Sequence, residues 1–199
     1  MEPTAEDNFT NGILKFSVND YQGAIQDFNK AIELNINYAL AYYSRGRAKE
    51  ELGDFQSAIE DFNKVIELES KNAGAYWNRG DIKYKLKDYR SAIEDFNKVI
   101  ELDNGVAFAY RSSAFRRRGN AKSELEDYDG AVKDFDKAIE LKEDDSEAYY
   151  NRGVAKLKYS NKMTGVSYTM LNYGGWQDLR KAREMGHPKV NAFIKQYGE

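Results

Sequence analysis

Between Ala92 and Ile100 the apolar residues Ala92, Ile93, Phe96, Val99 and Ile100 fall at i, i+1, i+4, i+7 and i+8. That spacing is the stripe of an amphipathic helix, and it leaves Glu94 and Lys98 at i, i+4 on the solvated face, as Glu60 and Lys64 are one unit earlier. The stripe is written four times, from Asp20 to Leu34, Asp54 to Leu68, Asp88 to Leu102 and Asp127 to Leu141, each close to D-[YF]-x-x-A-[IV]-x-D-F-[ND]-K-[AV]-I-E-L. The equivalent alanines Ala24, Ala58, Ala92 and Ala131 lie 34, 34 and 39 residues apart. Repetition at such a period predicts stacked supersecondary units rather than one central core.

A second series precedes it. Gly12, Gly46, Gly80, Gly119 and Gly153 recur in step, the last four inside S-R-G, N-R-G, R-R-G and N-R-G triplets. From glycine to alanine is 12 residues in each of the first four units, so every unit has two linked parts. The stretch from Ala73 to Leu86 is helical in pattern, with Ala75, Tyr76, Arg79, Gly80 and Lys83 on one face. A mid-helix glycine costs roughly 1 kcal/mol against alanine, which is reasonable where a partner helix approaches closely. Gly53-Asp54, Lys87-Asp88 and Glu126-Asp127 predict tight turns followed by an N-capping aspartate. Each unit is therefore a predicted helix hairpin.

Two insertions break the period. Leu102 to Gly119 spans 17 residues where the other units have 12, which adds five residues around Val106 to Ser112. Five helical residues turn through about 500°, so an extended or offset first helix is expected there. In the fifth unit about ten residues are added between Tyr159 and Gly175, before Trp176 to Ala182 resumes the second-helix pattern. After Gly186-His187-Pro188, residues 189–197 form a last predicted helix with Val190, Phe193, Ile194 and Tyr197 on one face, suited to capping the stack.

Composition narrows the function more than the fold. Thirty basic and 33 acidic side chains give a net charge of −3, no global field for nucleic acid or an anionic membrane, and 41% apolar residues can form a core. There is no cysteine, so neither disulfides, thiolate catalysis nor cysteine-based zinc sites are expected. No run of about 18 apolar residues occurs, and the acidic start Met1-Glu2-Pro3 is unlike a leader peptide. A soluble chain is expected, cytoplasmic in the first instance, with the periplasm open if a leader has been removed. His187 beside Pro188 lacks a second histidine and is read as a turn residue. Asp127, Asp129, Asp134, Asp136, Asp144 and Asp145 do not follow the calcium-loop order, so caps and solvated faces are expected to account for them. Arg111, Arg116, Arg117 and Arg118 form one basic cluster, a solvated face or a patch for an anionic peptide. No catalytic residue, metal ligand or cofactor is expected.

These units resemble the tetratricopeptide repeat family. The family pattern sets an aromatic at position 4, small residues at 8, 20 and 27, an aromatic at 24 and often proline at 32 of a 34-residue unit. Tyr42, Tyr76 and Tyr149 fill position 4. The five glycines fill position 8, the four alanines position 20, Phe28, Phe62, Phe96 and Phe135 position 24, and Ala31, Val65, Val99 and Ala138 position 27. Position 32 departs, holding Ile36, Ser70, Asn104 and Glu143, and position 11 holds Lys49, Lys83 and Lys156, whose stems can cover apolar surface while the charge reaches water. The resemblance implies an all-α, right-handed superhelical solenoid as a single domain, with repeats at about 5–38, 39–72, 73–106, 107–145 and 146–186 and a cap helix at about 189–197.

In such a stack the first helices line a concave groove through positions 2, 5, 6, 9, 12 and 13. The expected partner-binding residues are Tyr43, Ser44 and Arg47 in unit two, Trp77, Asn78, Asp81 and Tyr84 in unit three, Arg116 and Asn120 in unit four, and Tyr150 and Asn151 in unit five. Peptide-binding members often use an asparagine at position 6 on the ligand backbone, and Asn78 and Asn151 match it; the alternative is an ordinary solvated amide. Arg116 and Asn120 followed by Asn151 imitate part of a carboxylate clamp, with no third repeat to complete it. The expected function is non-catalytic binding of an extended peptide or protein segment. A self-associating scaffold using the solenoid ends or the segment 159–175 is the alternative.

Overall fold

The computed structural model of the chain describes residues 2–102, 105–162 and 165–197, of which 105–109, 165–168 and 171 are described by backbone alone. Among the described residues there are eleven α-helices and no strand. They fall into two compact units, Met1–Asp88 and Tyr89–Glu199. The first holds α1 (Ala5–Ser17), α2 (Tyr21–Leu34), α3 (Ala39–Glu51), α4 (Phe55–Leu68) and α5 (Ala73–Lys85). The second holds α6 (Tyr89–Glu101), α7 (Gly105–Glu124), α8 (Tyr128–Leu141), α9 (Ser146–Ser160), α10 (Gly165–Glu184) and α11 (Val190–Tyr197). Within each unit every helix packs on the next in sequence, and α1 on α3, α3 on α5 and α7 on α9 also touch.

The turns form where the sequence places them. Gly53 takes φ +79°, and Asn19, Lys87 and Glu126 occupy the same left-handed region at +63°, +64° and +61°. The next residue in three of these turns is a capping aspartate: Asp20, Asp54 and Asp127 accept from the backbone N–H of Gly23, Ser57 and Gly130 at 2.9, 3.3 and 3.0 Å. These bonds satisfy donors that a helix start leaves open. Thr4 and Asp7 close a reciprocal capping box on α1.

Phe28, Phe62, Phe96 and Phe135, one per second helix, are fully buried, and so are Ala24, Ala58, Ala92 and Ala131. The repeated glycines explain how the phenyl rings fit. A Cβ at Gly12 would lie 2.5 Å from Phe28 Cε1, and one at Gly119 2.8 Å from Phe135 Cε1. Helix against helix at that distance admits no side chain.

The arginine before each of the last four glycines binds the hairpins together. Arg45 makes a two-pronged pair with Asp61 at 2.9 and 2.6 Å, Arg118 does the same with Asp134, and Arg152 with Asp178. Its third nitrogen donates to the preceding second helix: Arg45 to Asn29, Arg79 to Asn63, Arg118 to Asn97 and Arg152 to Asp136, at 2.6, 2.6, 2.6 and 2.7 Å. Each guanidinium also lies 5.2–5.5 Å from the centroid of the position-4 ring of its own helix, Tyr42, Tyr76, Phe115 or Tyr149. A planar five-donor group can serve all these partners at once, which lysine cannot.

This seam corrects two expectations. The position-11 lysines do not simply carry charge to water: Lys49 and Lys156 reach Asp61 and Asp178 at 2.8 Å, and Lys122 reaches Asp134 at 2.8 Å. Asp134 is accordingly not on a solvated face, being 3% exposed, whereas Asp127 and Asp145 do act as caps. Buried carboxylates require such pairing because desolvation of an isolated charge is costly. On the outward faces Lys64 takes Glu67 at 2.7 Å and Lys98 takes Glu101 at 2.9 Å, both i, i+3 pairs.

The seam also shows how the insertions are absorbed. Arg118 reaches Asn97 across 21 residues, where Arg45, Arg79 and Arg152 span 16, so the five extra residues enter ahead of Arg118. α7 accordingly has 20 residues against 13 in α3 and α5. In the fifth hairpin α10 also has 20 residues, and Gly153 meets Gly175 O and Leu179 where regular units have alanine and phenylalanine. Residues 163 and 164, within the inserted 159–175 segment, and Asn104 at position 32 lie outside the described residues.

Candidate interaction face

In the unit Met1–Asp88, α1, α3 and α5 present one face. Ile13 and Phe16 from α1 meet Tyr43, Ser44 and Arg47 from α3 around a shallow depression of about 60 Å³. The Arg47 guanidinium lies 5.3 Å from the Phe16 ring centroid. Tyr43 packs edge-on against the buried Phe62, and its hydroxyl accepts from Asn78 Nδ2 at 2.8 Å. A Cβ at Gly74 of α5 would sit 3.0 Å from that hydroxyl, so a side chain there would press on Tyr43.

The amide of Asn78 is thus already committed on its donor side, to Tyr43 and to Gly74 O at 2.9 Å. What it can offer outward is its carbonyl oxygen, an acceptor for a ligand N–H. Trp77 and Tyr84 are half-buried on the same helix. Asp81 is buried and pairs with Lys85 at 3.1 Å, which also reaches Glu50 of α3 at 2.7 Å. Although partial burial pushes the Lys85 ammonium down, these two carboxylates hold it above its ordinary range. Asp81 thereby serves to tie α5 to α3.

In the unit Tyr89–Glu199 the expected residues are largely occupied by the protein itself. Asn151 Nδ2 donates to Asn120 Oδ1 at 3.0 Å, joining α9 to α7. Arg116 donates to Asp145, the N-cap of α9, at 3.0 Å, and Arg118 belongs to the seam. Arg111 donates to Leu102 O at 3.3 Å. The basic cluster is therefore dispersed among intramolecular partners. Tyr150 is covered by His187, stacked at 4.4 Å and 14°, and by Phe193 edge-on at 6.0 Å.

His187 is more than a turn residue: it is 5% exposed, its Nε2 lies 3.2 Å from Glu147 Oε2, and its Nδ1 accepts from Lys189 N at 3.4 Å. Burial pushes the Glu147 carboxyl up, but the hydrogen bond from His187 and the charges of Arg116, His187 and Lys189 hold it below the usual range. Burial and the Glu147 charge push the Tyr150 phenol up. α11 completes the end of the unit by packing Val190 against Leu179 and Ala182.

A TPR repeat profile matches residues 13–53, 46–87 and 119–158, and a Tetratricopeptide repeat profile matches 73–105. The chain belongs to the tetratricopeptide repeat family. No curated protein matches its sequence. Among solved structures it is similar to MamA from Desulfovibrio magneticus RS-1, at 18% identity and TM-score 0.79, covering 94% of this chain and 97% of that one. It is also similar to YrrB, described as a TPR protein with an unusual peptide-binding site, at 21% identity and TM-score 0.77, covering 96% and 92%. The TPR2B domain of yeast Sti1, solved as a complex with pHsp70, matches at 26% identity and TM-score 0.55, covering 60% of this chain and 97% of that domain. The likenesses to MamA and YrrB show the fold.

Seen as tetratricopeptide repeats, the hairpins also supply face residues that the sequence reading did not single out. Ile13 and Phe16 stand at positions 9 and 12 of the first repeat, so extending the position rule to that unit would have found them. Among the described residues no group of histidine and acidic side chains is arranged to hold a metal ion, and no helix is long and apolar enough to cross a membrane.

Proposed function

We propose that this tetratricopeptide repeat protein is a non-catalytic interaction module that holds an extended polypeptide segment on its first-helix face. The observation that carries the reading is the α1, α3 and α5 surface, where Phe16, Tyr43, Arg47 and Asn78 are held in place by neighbours before any ligand arrives. Side chains already fixed lose little entropy on binding, so their contacts translate into affinity. Half-buried aromatics beside an arginine and an amide acceptor suit a peptide, whose backbone offers an N–H at every residue.

Complexes of related folds, such as that of the TPR2B domain with pHsp70, support the same reading. The commitments of Asn120, Asn151, Arg116 and Tyr150 shift the weight toward the first three repeats. Peptides selected from a random library against the protein, followed by amide hydrogen exchange, test this. Protection along α1, α3 and α5 is expected; protection confined to the second helices contradicts it.

A further inference from the structure

A second cavity, of about 240 Å³, opens between α9, α10 and α11. Its walls are Val154 and Leu157 of α9, Trp176 of α10, and Phe193 and Tyr197 of α11, with the Asn161 and Asn172 amides and Lys158 at its rim. It exists because this repeat departs from the others. Asn161 and Asn172 lie within the inserted 159–175 segment, and Phe193 and Tyr197 of α11 supply the facing wall.

We infer that this cavity is an anchor pocket for one bulky apolar side chain of a bound polypeptide that carries a carboxylate beside it, the acid meeting Lys158. The volume lies below the roughly 300 Å³ at which pockets for drug-sized ligands begin, and so suits a single side chain better than a whole small-molecule cofactor. Val154, Leu157 and Lys158 occupy positions 9, 12 and 13 of the fifth repeat, so the pocket is continuous with the first-helix face of α9. The proposal rests on the peptide-binding reading in that respect.

Charge sets the rest of the specificity. Lys158 is exposed, with its ammonium 5.8 Å from the Tyr128 ring, and the nearby acid Glu126 is held by Lys162 at 2.8 Å. A ligand carboxylate at Lys158 would compete with the Tyr128 ring and with the field of Glu126, an acid that Lys162 already pairs, and the rim amides can accept or donate to the peptide backbone.

The test is an NMR titration of the full chain with acetyl-Glu-Phe-Glu amide, and with the same peptide bearing lysine for glutamate or alanine for phenylalanine. The chain has two tryptophans, and a Trp77→Phe variant, used only to assign the Trp176 indole signal, leaves the titrations themselves to the unaltered chain. The first peptide is expected to shift that indole and the side-chain amides of Asn161 and Asn172. Loss of the phenyl ring is expected to weaken binding about tenfold or more. Lys158→Glu, at an exposed site that leaves folding intact, is expected to reverse the preference between the acidic and basic peptides. An equal response to all three peptides overturns the proposal, as does indifference to Lys158→Glu. Shifts confined to α1, α3 and α5 sink the pocket but leave the proposed function standing; shifts confined to the pocket uphold it and move the binding face from the first three repeats to the fifth. Concentration-dependent shifts at Trp176 without peptide would assign the pocket to a second copy of the chain and also overturn it.

Discussion

The seam between first and second helices and the outward face of the first helices are built from the same residue types and put them to opposite use. Arg45 lies in the seam with its guanidinium divided among Asp61, Asn29 and Tyr42, while Arg47, two residues on, stands exposed over Phe16. Asn29 accepts from an arginine of the next hairpin, while Asn78 turns its donors inward and leaves its carbonyl for the face. Residue identity alone does not separate structure from binding. Position on the helix does, because every third or fourth residue returns to the same side.

The comparison breaks most visibly at the seam. Asp61→Ala or Asp134→Ala strands an arginine and a lysine that are each only about one fifth exposed, and should cost about 3–5 kcal/mol in chemical denaturation. A loss below 1 kcal/mol would mean that water reaches these cations readily. Ala58→Leu, at a fully buried helix contact, should cost about 1–3 kcal/mol by overpacking, and unchanged stability would show that the helix register is wrong. Asp54→Ala removes a cap from α4 and should cost about 1 kcal/mol, read as a fall in denaturation midpoint with an unchanged slope.

The hairpins were legible in the sequence because their determinants are local: the apolar stripe, the glycine that meets a phenyl ring, and the aspartate one residue after a left-handed turn. The tetratricopeptide pattern added the packing order. The seam was legible only in part. The lysines at position 11 and Asp134 look like surface charges until the antiparallel register puts Lys122 and Asp134 side by side. A constant separation of 16 between Arg45 and Asp61 and between Arg118 and Asp134 was the available signal. At the face, Tyr43 and Asn78 could be placed by position, but not the bond between them, 35 residues apart. His187 was hidden for a similar reason, since its burial depends on the path of the chain after α10, which no repeat pattern describes.

The division of labour between seam and face is tested most directly with one selected peptide and three variants, by titration calorimetry beside thermal unfolding. Trp77→Ala should weaken binding by about 2 kcal/mol or more and Asn78→Ala by about 1–3 kcal/mol, both with the helical fold retained. Glu94→Ala, on the exposed side of α6, should change affinity by less than about 0.5 kcal/mol. If Glu94→Ala abolished binding while the Trp77 and Asn78 variants bound normally, the partner would sit on the second helices and the first-helix face would lose its role.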